Sequence, residues 1–180
     1  TVGPAFKGNK VKIASDGEIL VKGENVMLGY WNNEEETKKV LKDGWLYTGD
    51  IGIFESGYLK ITDRKKDILI TPGGDNISPV KIENELSNSK FIDQSIVYGD
   101  NKPYLVALLV LSEDNLNITQ EQIKKEVDNI NKSLSRIENI KKFFVINEKF
   151  SIENGMLTPT LKLKRYKIVQ KYKNEFEKLY

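Results

Sequence analysis

Apolar and polar positions alternate with a period of two through much of the first third of the chain. VKIAS (11–15) and EILVK (18–22) flank Asp16-Gly17, a glycine-bearing turn, and this pattern predicts a hairpin. GIFESGYLKI (52–61) predicts a second hairpin that turns at Ser56-Gly57. Between them, NEEETKKVLK (33–42) reads as a short helix. Asn33 is its N-cap, and the carboxylates sit at the positive helix end.

TDRKKD (62–67) is the most polar stretch between two apolar segments and marks a candidate boundary. Beyond it, ILIT (68–71) predicts a strand and Pro72-Gly73-Gly74 a turn. Ser78-Pro79 starts a helix, with serine as cap and proline at the first helical position. SIVYG (95–99) and YLVALLVL (104–111) read as strands, the second apolar enough to be buried on both faces. Thr119-x-x-Gln122 is a capping-box signature ahead of Ile123, Val127, Ile130 and Leu134 at helical spacing. FFVI (143–146) predicts another strand. A loop containing Gly155 then leads to LTPTLKLKR (157–165) and a last helix with Ile168, Tyr172, Phe176 and Leu179 on one face. The order strand–helix–strand–strand–helix–strand–helix makes the later part a small α+β domain, and the fold class of the chain α+β.

Composition narrows the chemistry. The 180 residues carry 28 Lys plus Arg against 26 Asp plus Glu, a net charge of +2, with 39% hydrophobic residues. That is an ordinary soluble chain able to bury one or two modest cores. Cysteine is absent, which excludes disulfides, thiolate zinc sites and thiol nucleophiles. Histidine is absent too, which excludes Ser-His-Asp triads and imidazole acid–base chemistry. Catalysis would have to rest on Lys, Arg, Asp or Glu. The longest apolar run, 104–111, is far short of the about 20 residues a helix needs to span a bilayer. The chain opens on Thr1 and enters VGPAF at once, which reads as an excerpt of a longer polypeptide.

Three segments carry candidate chemistry. In GWLYTGDIG (44–52), Thr-Gly-Asp between hydrophobic runs reads as a turn; alternatively, the Asp50 carboxylate accepts two hydroxyls of a sugar diol. In ITDRKKDILITPGGDNISP (61–79), one reading is a solvated basic linker followed by a glycine turn. The other is a hinge beside an anionic ligand, with Arg64 reaching ribose or phosphate and Gly73-Gly74 allowing close backbone approach. Neither GxxxxGK[ST] nor GxGxxG occurs. In NGMLTPTLKLKRYK (154–167), the charge is all basic, and residues 154–174 hold six basic residues and no acidic one. This is either a cationic surface feeding an amphipathic helix or a mobile lysine that stabilises transition-state charge.

In this order and spacing, together with VGPAFKGNKVKI and GEILVKGENVMLGYW (17–31), the three segments resemble the carboxyl-terminal part of the AMP-forming acyl-CoA synthetases. DRKKD and LTPTLKLKR look most like the long-chain fatty acid branch. The resemblance implies that residues 1–65 are the last β subdomain of a large adenylation domain, and 66–180 a small mobile domain. It implies that Asp50 binds the ribose hydroxyls of AMP, with Thr48 near the nucleotide and Arg64 on ribose or phosphate. Lys66 becomes the hinge, Gly73 and Gly74 border the pantetheine channel, and Lys162 is the catalytic lysine. Leu161 stands where the family usually has glycine, which leaves Lys164 as a rival; Arg165 matches the closing arginine of the motif. The implied substrates are fatty acid, ATP and CoA, with Mg2+ held by residues upstream, no metal site in this chain, and the missing adenylation domain as partner. Alone, the 180 residues are expected to be inactive.

Two other classes stay open. One is a different acyl- or aryl-adenylating ligase. The other is a basic binding module without chemistry, which a net charge of +2 supports weakly; nucleic acid is not an expected partner. The expected compartment is the cytoplasm, where ATP and CoA are, with peripheral membrane contact compatible with a fatty-acyl substrate.

Overall fold

In the computed structural model, which describes residues 1–113 and 118–180, the chain divides into two units, Thr1–Ile68 and Leu69–Tyr180. The first unit is an antiparallel sheet of β1 (Lys10–Ile13), β2 (Glu18–Lys22), β3 (Leu41–Lys42), β4 (Trp45–Glu55) and β5 (Tyr58–Arg64). β4 is its centre, pairing with β2, β3 and β5. Both expected hairpins form. β1 and β2 pair from Lys10↔Lys22 to Ile13↔Ile19. β4 turns into β5 at Ser56-Gly57, where φ is 52° and 83°, the two left-handed residues that a tight hairpin loop takes.

α1 (Glu34–Val40) is shorter than the expected 33–42, because Leu41 and Lys42 become extended and pair with β4. It buries no residue. Its stability comes from the Asn33 cap, whose Oδ1 accepts the Glu36 N–H at 3.1 Å, and from Glu–Lys pairs one turn apart.

Thr48-Gly49-Asp50 does not form the turn that one reading gave it. It is a bulge inside β4: these three residues face Ile19 alone, between the pairs Leu20↔Tyr47 and Glu18↔Ile51. Gly49 does have a positive φ, 71°, but uses it to kink a strand whose pairing resumes on the far side. The polar stretch 62–67 is also more ordered than a linker. Residues 62–64 belong to β5, and Lys65–Asp67 form one 3₁₀ turn.

The second unit is built on a mixed sheet in the order β10 (Ile140–Ile146), β9 (Leu105–Leu111), β8 (Ile92–Tyr98). β8 and β9 are antiparallel, while β9 and β10 are parallel and joined through α3 (Gln120–Asn131). Every residue of β9 is buried. Leu105, Ala107, Leu109 and Leu111 face the layer of α3 and α2 (Pro79–Ser87), meeting Ile82, Leu86, Ile123 and Val127. Val106, Leu108 and Val110 face Phe150, Met156, Ile168, Tyr172 and Phe176. A strand between two apolar layers has no polar face, which is why the sequence shows an unbroken run there.

Both capped helices start as expected. Ser78 Oγ accepts the Lys81 N–H at 3.2 Å, and Thr119 and Gln122 form a reciprocal capping box. A small hairpin of β6 (Leu69–Ile70) and β7 (Asn76–Ile77) closes over Pro72-Gly73-Gly74. The final helix is two short ones, α4 (Arg165–Lys171) and α5 (Lys173–Glu177), broken at Tyr172. The apolar stripe survives the break, because Tyr172 N–H still reaches Ile168 O and Phe176 N–H reaches Tyr172 O, both at 3.0 Å.

Candidate functional site

The β4 bulge gathers the first group of candidate residues. Asp50 lies directly opposite Arg64 across β4 and β5, and Arg64 Nε meets Asp50 Oδ1 at 2.7 Å. Arg64 remains 57% exposed. Thr48 is committed to the backbone: its hydroxyl donates to Ile19 O at 2.8 Å and accepts the Asp50 N–H at 3.1 Å. It therefore shapes the bulge that aims Asp50. Beneath lies a residue that the sequence did not reveal. Glu18 is 4% exposed, accepting the Gly49 N–H at 2.9 Å through one oxygen and Lys65 Nζ at 2.8 Å through the other.

Lys65 also reaches Asp16 at 2.7 Å. Its hydrogen bonds to Asp16 and then to Glu18 raise its pKa above the ordinary lysine value, and the same Lys65 contact holds the Asp16 carboxyl below the usual carboxylate range. Lys65 thus ties the 3₁₀ turn to the β1–β2 hairpin, and Lys66 beside it is exposed.

On the second unit, Lys162 ends a tight turn. Thr158 N–H donates to Lys162 O at 2.8 Å, and Lys162 N–H returns to Thr158 Oγ1 at 3.0 Å. Leu161 adopts φ 58° and is 70% exposed, so a leucine occupies the backbone conformation that glycine favours. Lys162 is exposed. Lys164 is half-buried and its N–H is bound to Met156 O at 2.8 Å.

Arg165 is turned inward. Its Nη2 meets Glu83 Oε2 at 2.5 Å and its Nη1 donates to Val97 O at 3.1 Å. Glu83 on α2 was also missed, although its position signals it. Pro79, Ile82, Glu83 and Leu86 are the buried residues of that helix, spaced on one face, and a carboxylate among them needs a partner.

Gly73 and Gly74 occupy the β6–β7 turn, where Gly74 has φ 88°. Gly73 borders an open groove of about 690 Å³ with Tyr104, Lys102, Arg136 and Lys141 around it. Among the described residues, no group of three or more Asp, Glu, His or Cys is placed to hold a metal ion, and no helix is long and apolar enough to cross a membrane.

The fold is shared with solved adenylation domains and a solved CoA synthetase. The adenylation domain of a carboxylate reductase from Mycobacterium chelonae superposes with a TM-score of 0.83 at 25% identity, over 98% of this chain and 31% of that one. The O-succinylbenzoate–CoA synthetase of Bacillus subtilis, solved with AMP, superposes at 0.73 with 30% identity, over 91% of this chain and 34% of that one. The long-chain-fatty-acid–CoA ligase FadD15 of Mycobacterium tuberculosis is 36% identical over all of this chain and 34% of its own length. The long-chain-fatty-acid–CoA ligase 5 of Mus musculus is 38% identical over 96% of this chain and 29% of its own. The chain thus spans about a third of the length of these relatives. Residues 66–180 match the family model of the AMP-binding enzyme C-terminal domain, and the chain belongs to that family.

Proposed function

We propose that this chain is the closing part of a long-chain fatty acid–CoA ligase. Residues 1–65 complete its large adenylation domain, and 66–180 form its small, mobile domain, with Lys66 at the hinge. In the first half-reaction a fatty carboxylate oxygen attacks the α-phosphorus of ATP, and pyrophosphate leaves as acyl-AMP forms. In the second the CoA thiol, losing its proton, attacks the acyl carbon and AMP leaves. Asp50 accepts the ribose hydroxyls, while Arg64, already paired with it, offers charge to ribose or phosphate. Thr48 acts through the bulge rather than by direct contact, since its hydroxyl is engaged by backbone. Lys162 supplies positive charge where negative charge accumulates at phosphorus, an electrostatic role that suits a chain without histidine. Gly73 borders the groove along which the pantetheine arm would run, and Gly74 makes the turn beside it. The magnesium that accompanies ATP is held by the upstream part of the enzyme.

The observation that supports this reading most is the turn at 158–162, which presents an exposed lysine on a backbone pinned at both ends. In the full-length enzyme, Lys162→Ala should slow pyrophosphate release by about 10²–10³-fold, the cost of losing one transition-state donor. Conversion of supplied acyl-AMP to acyl-CoA should change far less. A neutral Lys162→Ala beside a damaging Lys164→Ala would move the role to Lys164. Long-chain acids are the substrates the relatives' names favour. The 180 residues alone should release no pyrophosphate.

A further inference from the structure

We propose that Glu83 and Arg165 act as a positioning pair for Lys162, so that adenylation depends on them and thioester formation does not; this rests on the role given to Lys162 above. β8 is an edge strand, and Val97 in it pairs with Ala107 of β9 on one side only. Its own N–H and C=O are taken up by this pair. Glu83 Oε1 accepts the Val97 N–H at 2.7 Å, and Arg165 Nη1 donates to Val97 O at 3.1 Å. The Glu83 Oε2 to Arg165 Nη2 contact, at 2.5 Å, closes the ring. The network joins β8, α2 and the first residue of α4, and Glu83 within it is 6% exposed.

From Arg165 back to Lys162 the chain has little slack. Lys164 N–H is bound to Met156 O, Leu163 bridges to Leu157, and Lys162 O holds the Thr158 N–H. The lysine therefore stands on a base whose place is set by Arg165. Both oxygens of Glu83 are engaged and the guanidinium is turned inward, so neither residue is offered to a ligand. Their effect on the reaction passes through the location of Lys162. A charge that works by position is sensitive to small shifts, since a displacement of about 1 Å costs on the order of 10²-fold.

The test uses the full-length ligase and follows acid-dependent ATP–pyrophosphate exchange separately from CoA consumption by supplied acyl-AMP. Glu83→Gln keeps the side-chain shape and an acceptor for Val97; Arg165→Lys keeps the charge but loses the fork. Each should reduce exchange by about 10- to 100-fold and leave the thioester step within about twofold. That step also serves as the folding control. On a Lys162→Ala background, Glu83→Gln should add less than about twofold, because both act through one group. Equal losses in the two half-reactions, or a Glu83→Gln loss multiplied in full on Lys162→Ala, would mean a structural pair and overturn the proposal. If Lys162→Ala slows exchange while both pair variants leave it unchanged, only the positioning role fails. If Lys162→Ala itself has no effect, the reading of Lys162 fails first.

Discussion

Leu161 offers a test of the lysine turn in which the sign alone decides. Its φ of 58° lies in the left-handed region, where a Cβ costs about 1–2 kcal/mol. Replacing Leu161 by alanine or by glycine removes the same side chain beyond Cβ, so whatever burial this 70% exposed residue contributes cancels between the two variants. What differs is the backbone. Glycine relieves the left-handed penalty but brings roughly 0.5–1 kcal/mol of extra chain entropy to the unfolded state. The balance is about 0–1.5 kcal/mol in favour of Leu161→Gly over Leu161→Ala, centred well above zero and the reverse of the usual order of these residues. Urea denaturation followed at 222 nm, where α2 to α5 of the second unit contribute most, should show a higher midpoint for the glycine variant at an unchanged slope. Both tryptophans, Trp31 and Trp45, lie in Thr1–Ile68, so their emission gives the first unit's transition in the same sample. An alanine variant at least as stable as the glycine variant would show that position 161 has no left-handed strain.

Three further outcomes follow from particular contacts. A Cβ on Gly52 would meet Lys60 O at 2.6 Å and Ile19 Cδ1 at 2.7 Å, so Gly52→Ala should destabilise the first unit by about 1–3 kcal/mol, read by tryptophan emission in urea. Thr119→Ala removes one half of the α3 capping box and should cost about 0.5–2 kcal/mol in the second unit's denaturation curve. The Lys171 ammonium, and after it the Tyr172 hydroxyl, hold the Glu148 carboxyl below its ordinary value of 4.5. A carboxyl lowered by folding adds stability that is present above its unfolded value and lost as pH falls through the folded one. Glu148→Gln should therefore flatten the acid limb of the stability curve below 4.5 while leaving its slope near neutrality unchanged.

Local rules made the strands and caps readable, and long-range partners stayed hidden. Asn33, Ser78 and Thr119 announce helix starts because each cap bonds an N–H only three residues ahead. The run 105–111 announces a strand between two layers because no polar residue interrupts it. Asp50 and Arg64 stand out in the sequence by residue type, yet nothing in their spacing of fourteen positions says that they face each other; the β4–β5 register does. Thr-Gly-Asp has turn chemistry, which carries one of its two readings, and only pairing with β2 on both sides makes it a kinked strand. Glu18 looks like an ordinary charge at the start of a strand. Its partners, Gly49 and Lys65, are 31 and 47 residues away. The break at Tyr172 leaves the stripe spacing intact, so periodicity cannot detect it.

Two arginine–carboxylate pairs in this chain look alike on paper and should behave differently, because burial differs. In Asp50–Arg64 the side chains are 22% and 57% exposed; in Glu83–Arg165 they are 8% and 16% exposed. A pair whose arginine faces solvent is worth about 0–1 kcal/mol, so Arg64 can give up its carboxylate partner at little cost. Removing one member of a buried pair leaves an uncompensated charge and costs about 3–5 kcal/mol, so Arg165 cannot leave Glu83 to serve a ligand. Arg64→Ala should therefore leave the thermal transition of the first unit nearly unchanged while weakening nucleotide binding by the full-length enzyme. Arg165→Ala should lower the second unit's stability sharply, and the double variant Glu83→Leu with Arg165→Leu should recover part of that loss by removing both charges. Similar stability costs for Arg64→Ala and Arg165→Ala would refute the distinction. A Glu83→Leu and Arg165→Leu double variant no more stable than Arg165→Ala would show that the loss lies in the Val97 hydrogen bonds rather than in the buried charge.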